Sequence, residues 1–118
     1  MNLLNQIIIE GTCKGNAQVE TTGNGTKCCT VSIINYFSYR NRNHEVVREE
    51  SRFDVKSYGL LAETLSTRLT DGRNIRVVGR LKQEVVEGSD GMMHSRSYII
   101  AEHIEVMPVK EEAEETRF

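Results

Sequence analysis

Two segments of this 118-residue chain carry residues whose types and spacing could do chemistry. The first is Tyr36-Phe37-Ser38-Tyr39-Arg40-Asn41-Arg42, where aromatic rings interleave with arginines. Flat apolar rings next to cations are what a single-stranded nucleic acid needs, since bases stack on the rings and phosphates meet the charges. Each stacked base is worth about 1–3 kcal/mol. Tyr39 sits where a strand would leave the body of the protein beside Arg40, which favours a binding role, whereas Phe37 reads more readily as core. The second segment is Arg73-Asn74-Ile75-Arg76-Val77-Val78-Gly79-Arg80-Leu81-Lys82, with no acid between Gly72 and Gln83. On a strand, Arg76, Arg80 and Lys82 fall on one face, and a one-sided row of cations is either an electrostatic track or a solvated surface.

Catalytic signatures are missing. The sequence holds no phosphate-cradling glycine loop opening a helix, no His-Glu-x-x-His and no Gly-x-Ser-x-Gly. Cys13, Cys28 and Cys29 form no C-x-x-C, and His44, His94 and His103 lie far from them in sequence. The thiols therefore read as reduced core residues, with no metal, no catalytic residue and no cofactor expected. Apolar runs are too short for a membrane span or a signal-peptide core, Ile7-Ile8-Ile9 being typical, and the chain is read as soluble and cytoplasmic.

The elements that must position these residues follow from periodicity. Leu3–Thr12 reads as a strand ended by Gly11, and Gly23-Asn24-Gly25 as a turn. From Cys29 the inward set Cys29, Val31 and Ile33 alternates with Thr30 and Ser32, and the strand runs on into the aromatic cluster. Arg40–Arg48 lacks apolar alternation and reads as a mobile loop or a projecting hairpin. Ser51–Tyr58 is a strand with Phe53 and Val55 on one face and Arg52, Asp54 and Lys56 on the other. Leu61, Leu65 and Leu69 form one helical stripe, stopped by Asp71-Gly72. Asn74–Val86 and Ser95–Met107 are the last strands, joined by a turn at Gly88–Gly91, and Gly79 marks a bend or bulge at a barrel corner. The order β-β-β-α-β-β predicts an all-β fold, the five-stranded oligonucleotide/oligosaccharide-binding (OB) barrel with one short helix between strands three and four. Residues 1–108 would form this domain and residues 109–118 an acidic tail ending in an aromatic.

Several segments, in order, resemble the bacterial single-stranded DNA-binding protein family. They are Leu4-Asn5-Gln6-Ile7-Ile8-Ile9-Glu10-Gly11, the Gly23-Asn24-Gly25 turn, Phe53 through Glu63, and Asp71 through Leu81. The resemblance spans about Leu4 to Met107. It implies non-catalytic binding of single-stranded DNA in replication, recombination and repair, by a homotetramer or at least a dimer. Tyr39 falls where the family usually has a stacking tryptophan, and Tyr58 falls on its stacking phenylalanine. Arg40, Arg80 and Lys82 fall in or near its phosphate-contacting surface. Arg42, Lys56 and Arg76 extend the cationic set. There are departures: Arg52 replaces a second stacking tryptophan, with a guanidinium that could itself stack on a base, and Val86 replaces a third. Gln6 and Glu84 stand where a lysine and an arginine are common. The resemblance extends to the tail, where Glu114, Glu115 and Phe118 would be offered to replication and repair proteins. Two other readings stay open: a dimer resembling primosomal replication proteins, which binds single strands and a helicase, and a protein-interaction barrel without DNA binding.

Bulk charge does not distinguish these readings. The formal net charge is −2, and the stretch from Lys110 to Phe118 accounts for all of it, leaving the remainder neutral. A binder built from this sequence must rely on how its cations are distributed.

Overall fold

The computed structural model describes residues 2–108. Five strands and one helix follow in the predicted order: β1 (Ile7–Thr21), β2 (Lys27–Arg40), β3 (Val46–Tyr58), α1 (Leu60–Leu65), β4 (Asn74–Glu87) and β5 (Met93–Val106). The strands close into a barrel in the order β1-β2-β3-β5-β4, which is the OB topology. All pairs are antiparallel except β3 with β5.

The inward alternation is as predicted. Cys29, Val31 and Ile33 of β2, Val55 of β3, Ile75 and Val77 of β4 and Ile99 of β5 fill the barrel, each buried. Ala62 and Leu65 of α1 and Leu69 beyond it pack on the same cluster. The expected stripe is therefore correct, but α1 stops at Leu65. A turn carries Leu69 into the core, with the Leu69 amide still donating to the Leu65 carbonyl at 3.1 Å.

The first strand departs most from expectation. It starts at Ile7 and runs on through Gly11 to Thr21. At Gly11 β1 crosses close over β2, since a Cβ there would lie 3.0 Å from the Ile33 side chain. The register with β2 shifts between Lys14 and Gln18. That irregular stretch is tied to the turn after α1 by other bonds. The Ala17 amide donates to the Leu69 carbonyl at 2.9 Å, and the Gly15 amide to the Asp71 carboxylate at 2.6 Å.

Gly79 sits at the predicted irregularity, where the β4–β5 register slips between Val78 and Gly79. A side chain there would overlap the Ile100 carbonyl, so the barrel closes at a residue that only glycine can fill. The Arg40–Arg48 stretch is the projecting hairpin of the two alternatives. Asn41 caps its turn, its side-chain oxygen accepting from the Asn43 and Glu45 amides, each at 3.0 Å.

Candidate nucleic-acid interface

Strand pairing decides which side chains share a face. Along β3 the odd-numbered Phe53, Val55 and Ser57 turn inward, so Arg48, Arg52, Lys56 and Tyr58 project outward. Tyr36 of β2 lies opposite Glu50 and joins that outer face. On β4 and β5 the pairs Arg80–Ile100, Lys82–Tyr98 and Glu84–Arg96 carry the same face onward. The result is a continuous outer surface over β2, β3, β5 and β4 that bears Tyr36, Tyr58 and Tyr98 among six cations: Arg48, Arg52, Lys56, Arg80, Lys82 and Arg96.

Tyr58 is 39% exposed at the barrel end of β3, paired across the ladder with Cys28. Partial burial and the neighbouring Cys28 push its phenol above the ordinary range. The ring thus stays neutral and available for stacking at physiological pH. Arg52 is exposed and donates to the Ser32 hydroxyl at 3.3 Å, which holds its guanidinium against β2. That hydroxyl in turn donates to Asp54 at 2.6 Å.

The projecting hairpin has two different faces. On one, the Arg48 guanidinium lies 4.2 Å from the centre of the Tyr36 ring. On the other, Phe37 and Tyr39 form a tilted pair with centroids 6.3 Å apart, and both are exposed. The core reading of Phe37 is corrected here: its β2 position is of inward parity, but the ribbon has already left the barrel, and the residue is 60% exposed. Tyr39 and Tyr58 do not form one platform. They have opposite parity, and 11 ladder positions separate the pairs Tyr39–Val47 and Tyr58–Cys28, about 36 Å of strand. Arg40 and Arg42 lie at the hairpin tip, with Arg40 donating to the His44 carbonyl at 2.9 Å.

The cations of β4 differ from one another. Arg76 faces Glu10 of β1 at 3.2 Å and Glu105 of β5 at 3.6 Å, directly opposite it on both neighbouring strands. It is thus compensated within the sheet. Lys82 pairs with Glu84 at 3.5 Å. Arg80 has no carboxylate within 4.0 Å among the described residues.

Two residues of this face are not signalled by the aromatic-arginine cluster or by the row on β4. Arg96 and Tyr98 stand two apart on β5 and so share a face. The Tyr98 phenol donates to Glu84, and the Lys56 ammonium lies 4.3 Å from its ring centre. Burial and the Glu84 carboxylate push the phenol up to about 12, so it remains a donor. The bond from Tyr98, then Lys82, holds the Glu84 carboxyl below its usual range. Val86 is 42% exposed and offers no ring. Glu114, Glu115 and Phe118 lie outside the described residues.

Among the described residues no group of histidines, cysteines and acids could hold a metal, and no helix is long and apolar enough to cross a membrane. The Cys13 thiol is buried and pushed up to about 11, mainly by loss of solvent, and so is no activated nucleophile.

Known proteins share both the sequence and the barrel. The model of the single-strand binding protein family matches residues 4–107. A single-stranded DNA-binding protein of Aquifex aeolicus is 34% identical over 105 residues, covering 89% of this chain and 71% of that protein. One from Helicobacter hepaticus is 24% identical over 116 residues, covering 98% of this chain and 68% of the relative. Among solved structures, a Plasmodium falciparum SSB complex with ssDNA superposes with a TM-score of 0.82 at 19% identity. It covers 92% of this chain and 98% of that one. The Thermus aquaticus single-stranded DNA-binding protein, as a deletion mutant, gives 0.81 at 21% identity, covering 91% and 52%. These last two speak for the fold, while the near-complete family match and the Aquifex relative speak for descent: the chain belongs to the single-strand binding protein family.

Proposed function

We propose that this chain binds single-stranded DNA, without catalysis, on the outer face of β2, β3, β5 and β4 and along the projecting hairpin. The observation that carries this reading is the continuity of that face. Tyr58, Lys56, Arg52 and Arg80 lie on it together, and it leads into a hairpin bearing Tyr39, Arg40 and Arg42. Bases stack on Tyr58, with a guanidinium platform at Arg52, and again on Tyr39. Phosphates follow Arg80, Lys82 and Lys56 toward Arg40 and Arg42. Arg76 makes a smaller contribution than its place in the row suggests, because two carboxylates already face it. Residues 1–108 serve as the binding domain, and the acidic stretch that follows, with Glu114, Glu115 and Phe118, serves contacts with replication and repair proteins.

The same reading includes self-association, with a tetramer favoured over a dimer. Leu3, Leu4 and Ile8 are 92%, 91% and 66% exposed on and beside β1, apolar surface that a second copy would cover. Replication, recombination and repair in the bacterial cytoplasm are the settings in which such a protein acts.

Titration with an oligo-dT several tens of nucleotides long tests the reading. The chain has 4 tyrosines and no tryptophan, so ring stacking is read from tyrosine emission alone. Saturable quenching that weakens with salt, and weaker binding to duplex of the same length, are expected. No saturable binding at low salt would overturn it. Native mass with and without the oligonucleotide gives the number of copies.

A further inference from the structure

Where β5 meets β3 and β4, the outer face opens into a cleft of about 310 Å3. Its lining includes Lys56, Glu84, Val86, Arg96 and Tyr98. Val86 lines it too and places no ring in it. Tyr98 is only 6% exposed, and the Lys56 ammonium lies over its ring, 4.3 Å from the ring centre. A lysine chain has four rotatable carbons and moves at little cost. The phenol donates to Glu84, which pairs with Lys82 at 3.5 Å, so the far end of the ring is tethered, whereas Lys56 has no carboxylate within 4.0 Å among the described residues.

We propose that this cleft is a nucleobase subsite in which Tyr98 is the stacking platform and Lys56 is a displaceable cap. A strand entering the cleft stacks one base on the Tyr98 ring, and Lys56 swings off that ring onto an adjacent phosphate. The lining is balanced in charge, two carboxylates against Lys56 and Arg96, which suits a neutral base inside the cleft with phosphates at its edge. The cleft is lined by two carboxylates, Asp54 and Glu84, which repel an anion and accept hydrogen bonds from base N–H groups. The cations Lys56 and Arg96 are its phosphate partners. The volume lies at the small end of ligand pockets and suits one base.

This inference rests on the reading that the chain binds single-stranded DNA, and its test separates the two. Parent protein, Tyr98→Leu and Tyr98→Phe are titrated with oligo-dT, and each is checked by thermal melting. Tyr98→Leu is expected to lose roughly 5- to 150-fold in affinity with an unchanged salt slope, and Tyr98→Phe, which keeps the ring, to restore most of it. A folded Tyr98→Leu protein that binds like the parent overturns the subsite and leaves the wider reading standing. A parent that does not bind oligo-dT removes the wider reading itself. A second measurement needs no variant. The parent is photo-crosslinked to an oligo-dT carrying 5-iodouracil, and the adducts are mapped by mass spectrometry. An adduct on Tyr98 is expected, and adducts confined to Tyr39, Tyr58 or other residues overturn the subsite.

Discussion

Neutralising Arg80 should flatten the salt dependence of DNA binding, whereas neutralising Arg76, on the same strand and of the same residue type, should leave it nearly unchanged. The difference comes from neighbours. Arg76 sits between Glu10 at 3.2 Å and Glu105 at 3.6 Å, so the cluster already carries one more negative charge than positive. A phosphate arriving there gains no net partner, and no counterion leaves the DNA on its account. Arg80 has no carboxylate within 4.0 Å among the described residues. Each phosphate contact on a single strand contributes about 0.7 to the slope of log affinity against log salt. Arg80→Gln should therefore lower the magnitude of that slope by about 0.7 per protomer engaged. Between roughly 50 and 200 mM salt, the parent should lose about 2.6-fold more affinity than this variant. Arg76→Gln should stay within about 0.2 of the parent slope, and its stability change should be about 0–1 kcal/mol, since the pairs it breaks are half exposed. The assay is tyrosine quenching with oligo-dT at several salt concentrations. Equal slope losses in the two variants would refute the reasoning, because the sheet's own acids would then not be setting which cations meet phosphate.

Other outcomes follow from the same geometry. Tyr58→Leu should weaken oligo-dT binding by about 1–3 kcal/mol with the salt slope intact, and a slope change would mean that the ring holds a cation in place instead of a base. Gly79→Ala should destabilise the fold by about 1–3 kcal/mol or more, because the new Cβ meets backbone at the barrel closure and backbone yields poorly. At about 4–8 °C per kcal/mol this is easily seen in a thermal melt, and an unchanged midpoint would show that the barrel can open there without cost. The Tyr98 phenol is raised from 10.0 to about 12 in the folded protein, so the unfolded chain loses this proton first. Stability from this group is complete below pH 10 and declines as pH climbs toward about 12. Tyr98→Phe should remove that part of the alkaline decline, and an identical alkaline profile in the variant would exclude the phenol as its source.

Strand identity and inward faces were legible because alternation is strict where one side is sealed: Cys29, Val31 and Ile33 could register only one way. The helix was legible as a stripe but not as a length, because Leu69 reaches the core equally well from a turn. The second half of β1 was hidden. From Cys13 to Thr21 its apolar positions are sparse, and its bulge is held by Leu69 and Asp71, more than 50 positions away in sequence. Among the candidate site residues, Tyr58, Lys56 and Arg52 could be placed by alternation alone. Three features were beyond that reach. Compensation of Arg76 depends on residues of β1 and β5, which only closure of the barrel brings beside it. The exposure of Phe37 depends on where the ribbon outruns the barrel. Tyr98 lies in an unremarkable Ser-Tyr-Ile context, and its position beside Lys56 comes from the parallel β3–β5 pairing.

The separation of Tyr58 on the barrel from Tyr39 on the hairpin has a consequence for how a strand is held. Tyr58 and Tyr39 lie about 36 Å apart along the ribbon, so under the proposed function one DNA strand would meet them as a bivalent ligand meets two separated receptors. Once the first contact is made, the second is intramolecular, governed by an effective concentration set by the stretch of chain between them. Oligonucleotides too short to bridge the gap gain nothing from the second site. Those just long enough gain most of it at once, so affinity should rise with length as a step. A long strand would then release one contact while held at the other, and should shift along the protein without dissociating.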